Sequence, residues 1–82
     1  MIAVPTEELL DSLFWALREL PGEMGMSRVG DRSELELVEF PKTPAEVEEL
    51  LEMVQEWLEG VELETVEVEI EGRAYPLRRT GA

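Results

Sequence analysis

The chain has 82 residues, enough for one small domain spanning 1–82, and its 20 acidic against 7 basic side chains give a formal net charge of −13. Cysteine and histidine are both absent, which excludes disulfide staples, thiol nucleophiles, Cys/His zinc sites and imidazole acid–base chemistry. A composition that is 44% hydrophobic and 33% charged fits a soluble globular chain, and acidity of this size disfavours both nucleic acid and anionic membrane surfaces as partners.

Met1 to Val4 has the apolar content of a short additional strand, and the start of the chain lacks the basic and apolar regions of a signal peptide. No apolar run approaches the roughly 20 residues needed to span a bilayer. A cytoplasmic location is the expectation.

The first helix is predicted from about Thr6 to Leu20. Thr6 serves as N-cap, and Glu7 and Glu8 fall in the first turn, where the helix dipole favours acids. Leu9, Leu10, Leu13, Phe14, Leu17 and Leu20 recur at spacings of three and four and build one apolar stripe. Trp15 falls off that stripe, on the flank shared with Asp11 and Arg18. Pro21-Gly22 ends the helix.

Gly22, Gly25 and Gly30 then punctuate Pro21 to Ser33. No Gly-Lys-Ser/Thr follows and no helix begins there, so glycines at turns explain the segment better than a phosphate-cradling loop. With Gly30-Asp31 as a hairpin turn, Met24, Met26, Leu35 and Leu37 share one face, while Glu34, Glu36 and Glu39 keep part of the second strand wet.

Thr43-Pro44-Ala45-Glu46 combines a capping box with proline at the first helical position. The second helix that follows turns Val47, Leu50, Leu51, Val54, Trp57 and Leu58 inward. Glu48, Glu49, Glu52, Glu56 and Glu59 face water, and Gly60 is expected to end the helix as a left-handed residue. Val61 and Leu63 are out of phase with Val66, which suggests a bulge or a late strand start near Glu64-Thr65.

In the last hairpin Val66, Val68 and Ile70 alternate with Glu67, Glu69 and Glu71, and Glu71-Gly72 makes the turn. A two-residue loop sets Val68 opposite Tyr75 and Val66 opposite Leu77. Pro76 cannot donate a ladder hydrogen bond, so its strand belongs at a sheet edge. The resulting fold class is α+β: two helices on one face of a four-stranded antiparallel sheet, or a five-stranded one if Met1 to Val4 pairs. That order, (β)αββαββ, is ferredoxin-like or a duplicated αββ plan.

The opposite sheet face carries Glu67, Glu69, Glu34 and Glu36. From Glu36 to Glu71 there are 13 glutamates and one base, Lys42, whereas Arg73, Arg78 and Arg79 follow with no acid. Internal neutralisation of neighbouring glutamate rows is the simplest role for those arginines. Of the 20 acids only Asp11 and Asp31 are aspartate, so oxygen-rich metal loops are absent and no metal or cofactor is expected. Ser12, Ser27 and Ser33 lack a histidine partner, and paired carboxylates in so small a domain lack a cleft, so no enzymatic activity is expected.

What remains is binding. Trp15, Met53, Met24 and Met26 are candidate apolar anchors, with Glu67 and Glu69 as candidate steering charges, for a protein partner with a basic or apolar surface or for self-association. The expected function is a non-enzymatic acidic module of inhibitor, antitoxin, immunity or adaptor type. The rival is an idealised, de novo designed and thermostable scaffold, supported by the mutual consistency of caps, stripes and turns from Thr43 to Leu77.

Overall fold

The segment with the least signal of its own occupies the middle of the sheet. In the computed structural model, which describes residues 1–80, β1 (Ile2–Val4) pairs antiparallel with β3 (Arg32–Val38) on one side and β4 (Thr65–Ile70) on the other. β2 (Glu23–Val29) and β5 (Arg73–Arg78) complete a five-stranded sheet in the order β2-β3-β1-β4-β5. Because β3 runs antiparallel to both β1 and β2, those two are parallel with β3 between them, joined through α1 (Glu7–Leu17). By the same logic β3 and β4 are parallel with β1 between them, joined through α2 (Pro44–Glu59). Two interlocked split βαβ units make the ferredoxin-like plan, and β5 is the added edge strand. The same order also reads as two αββ units, α1-β2-β3 and α2-β4-β5, with β1 between their hairpins.

Strand alternation then sorts every side chain to one of two faces. Ile2, Val4, Leu35, Val66 and Val68 are buried beneath the helices together with Leu10, Leu13 and Leu17 of α1 and Leu50, Val54, Trp57 and Leu58 of α2. At about 25 cal/mol per Å² of apolar surface removed from water, this cluster is the main driving term of folding. Val68 faces Tyr75 and Val66 faces Leu77, as the two-residue loop requires. Glu71 and Gly72 both take positive φ, 50° and 80°, which is the mirror-image turn that matches strand twist.

Helix ends follow their caps. Thr6 accepts from the Leu9 N–H, and at Thr43 both arms of the capping box are present. Three local expectations are corrected. α1 stops at Leu17, although Leu20 remains buried. Gly60 is right-handed, with φ −100° and ψ −1°, and its N–H satisfies the last carbonyls without a left-handed turn. Gly25 lies inside β2 rather than at a turn. The phase break after α2 is a late strand start at Thr65, with Val61 and Leu63 half-buried against the core.

Candidate protein-binding surface

Among the described residues no helix covers the second face of the sheet. Across it the register draws two adjacent rows. One runs Ser27, Glu34, Ala3, Glu67, Pro76. The other places Gly25 and Glu36 on one side and Glu69 and Ala74 on the other, with Met1 between them, where its carbonyl accepts the Glu69 N–H at 2.7 Å. Four glutamates thus stand on a floor of small side chains, since Gly25, Ser27, Ala3, Ala74 and Pro76 add little height.

The two rows are not equally wet. Glu36, Glu67 and Glu69 are exposed, but Glu34 keeps only 8% of its surface. This corrects the expectation of a wet Glu34. Its side chain lies between Ala3 and Ser27 and is capped by the Arg32 guanidinium at 3.6 Å. Met1, Ala3, Arg32, Glu67 and Glu69 line a shallow depression beside it. The Met1 amino group sits over this patch with its pKa held below the usual value by burial, a shift that the charges of Glu69, Glu36 and Glu34 oppose. Among the described residues no group of three acidic side chains is placed to hold a metal ion.

The C-terminal arginines make no close ion pair with the glutamate rows among the described residues. Among the described residues the ion pairs within 4.0 Å are Arg28–Glu7 at 2.9 Å and Arg32–Glu34 at 3.6 Å, and Arg73, Arg78 and Arg79 take part in neither. Instead the end of β5 is held to α2 by hydrogen bonds. Gln55 donates to the Arg78 carbonyl at 2.8 Å, and the Thr80 N–H reaches the Glu59 carboxylate at 2.7 Å.

The candidate residues divide among separate surfaces. Glu67 and Glu69 lie on the open face. Trp15 is 61% exposed on α1, with the Arg18 guanidinium 5.3 Å from its ring centroid and Phe14 edge-on at 6.5 Å. Met53 is half-buried against the core beside Ala16 and Trp57, and Met24 is half-buried beneath the helices. Met26 shares Met24's side but stays 49% exposed, because β2 lies at the sheet edge. The sequence reasoning missed Arg32, Val29 and Val38, all exposed on the open face. Period-two counting outward from Leu35 and Leu37 carries the signal for all three.

Compared with models of protein families, with curated proteins and with solved structures, the chain matches none. Among the described residues no helix is long and apolar enough to cross a membrane.

Proposed function

We propose that this chain is a non-enzymatic acidic module of the inhibitor, antitoxin, immunity or adaptor kind, and that its uncovered sheet face receives a basic protein surface. The observation that carries this reading is the pair of glutamate rows on a flat floor, Glu34 and Glu67 about Ala3 and Glu36 and Glu69 about Met1. Glu34 and Glu36 on β3, and Glu67 and Glu69 on β4, are same-face neighbours two residues apart along one strand, so their like charges oppose each other and a cationic partner relieves that opposition. The net charge of −13 adds long-range attraction that speeds encounter with such a partner.

The test is an NMR titration with an oligolysine peptide. Amide shifts should concentrate at Ala3, Glu34, Glu36, Glu67 and Glu69 and fade as salt rises. The double substitution Glu67→Lys/Glu69→Lys should weaken binding by roughly tenfold or more, as expected for charges that steer and seat a partner. Glu48→Lys/Glu52→Lys on the wet side of α2 should leave it nearly unchanged. Shifts spread along α2 instead would remove the proposal.

The scaffold reading draws support from the complete capping box and from the lack of any unpartnered buried side-chain polar atom among the described residues. Against it stand Glu39 at φ 68° and Glu71 at φ 50°, non-glycine residues in a region that idealised backbones reserve for glycine.

A further inference from the structure

The two edges of the sheet are built differently. In a hairpin closed by a two-residue loop, the residues flanking the loop bond each other, and the bonding alternates from there. Arg73, Tyr75 and Leu77 therefore turn their backbone groups toward β4, while Ala74, Pro76 and Arg78 turn theirs to the free edge. Two observations agree with this phase: Arg79 N–H donates inward to the Glu64 carbonyl at 2.8 Å, and the outward carbonyl of Arg78 is taken by Gln55. The β5 edge is thus blocked at its centre, where Pro76 has no N–H to offer, and at its end, where Gln55 covers it.

The β2 edge has no such device. The same alternation from Val29 and Arg32 points the backbone groups of Met24, Met26 and Arg28 outward. The seven residues Glu23–Val29 contain no proline, no lysine and no bulge, and all except Met24 are exposed. On a chain of net charge −13 this strand has one acid, Glu23, and one base, Arg28, which is itself paired with Glu7 at 2.9 Å. Its neutral character removes the local repulsion that would otherwise keep two copies apart.

We infer that β2 is a self-pairing edge, and that two copies of this chain join antiparallel through it into one continuous ten-stranded sheet. Centring the two-fold axis on Met26 sets Met26 against its own copy, Met24 against Arg28, Gly25 against Ser27 and Glu23 against Val29. This register sets no acid beside an acid, and it uses every outward group of Met24, Met26 and Arg28, making about six hydrogen bonds. Sliding by two residues in either direction retains about four. It also covers Met26. Because β5 is blocked, the pairing closes at two copies instead of growing into a fibre.

Sedimentation velocity on the full chain, from low micromolar to millimolar concentration and at low and high salt, tests this together with amide hydrogen exchange. A dimer is expected whose affinity rises with salt, because screening weakens the repulsion between two acidic bodies. Docking on the glutamate face has the opposite salt dependence, so failure of one proposal is distinguishable from failure of the other. The amides of Met24, Met26 and Arg28 should become protected as concentration rises, whereas those of Gly25 and Ser27 are protected throughout. Met26→Pro removes an outward N–H and no bond within the sheet; it should weaken the dimer by roughly tenfold or more through two lost hydrogen bonds, with Met26→Leu nearly unaffected. Should the proline variant not fold, the exchange pattern decides alone. A monomer at every concentration, assemblies larger than two, or a dimer in which those three amides stay unprotected would overturn the inference.

Discussion

The indole N–H of Trp57 donates to the hydroxyl of Ser12 at 3.0 Å, joining α2 to α1 across the helix layer. Trp57 is buried to 8% exposure, so its one polar atom needs a partner within the protein. Ser12→Ala removes the acceptor without touching the core stripe of α1. The expected loss is about 1–2 kcal/mol, the usual cost of leaving such a donor without its partner. Urea denaturation with an unchanged m-value checks it.

Trp15 behaves as the other tryptophan does not. It is 61% exposed, and its contacts are with Arg18 and Phe14 at the helix surface. Trp15→Ala should change stability by less than about 1 kcal/mol, the range of surface substitutions and exposed cation–π contacts. Trp15→Phe should leave a single emitter, Trp57, with blue-shifted fluorescence and strong protection from acrylamide. A large stability loss on truncating Trp15 would place its ring in the core instead.

Two glycines make opposite predictions. Gly22 adopts φ +91°, and a Cβ built there lies 2.3 Å from the Val38 carbonyl oxygen. Gly22→Ala therefore combines left-handed strain of about 1–2 kcal/mol with a backbone clash that only a displaced β3 terminus relieves. At Gly60 φ is negative and an added Cβ meets only the Trp57 carbonyl at 3.6 Å. Gly60→Ala should be neutral or stabilising by up to about 1 kcal/mol, through reduced freedom of the unfolded chain. Thermal unfolding of the two variants separates them.

Glu59 links pH to the docking of Thr80 on α2. The Thr80 side chain, then the Thr80 backbone N–H, with help from Gln55 and the charge of Arg79, holds its carboxyl below the ordinary glutamate value. A lowered folded-state pKa means that the contribution is present above the unfolded value and is lost as pH falls through the folded one. In a carboxyl-detected NMR titration Glu59 should titrate below its ordinary value, and Thr80→Ala should raise it toward that value. As Glu59 protonates, the Thr80 amide should lose its exchange protection.

Much of this molecule is written locally. The capping box at Thr43 and Glu46, the apolar stripe of α2 and the register of Val68 with Tyr75 depend on residues a few positions apart or joined by a two-residue turn. Each is therefore legible from the chain alone. The assignment of Met24 and Met26 to the side of Leu35 and Leu37 belongs with them, since the Gly30 turn sets it.

Tertiary structure decided the rest. β1 has three residues and no turn of its own; it is central because Ile2 pairs with both Leu35 and Val68, partners distant in sequence. Strand order in turn fixes which edge is free, so the contrast between blocked β5 and open β2 is invisible until β1 is in place. Glu34 reads as a wet strand residue, yet Ala3 from β1 and the Arg32 side chain enclose it. Hydrogen bonds within a turn or cap need only neighbouring backbone, whereas burial and edge exposure depend on which distant segments pack together.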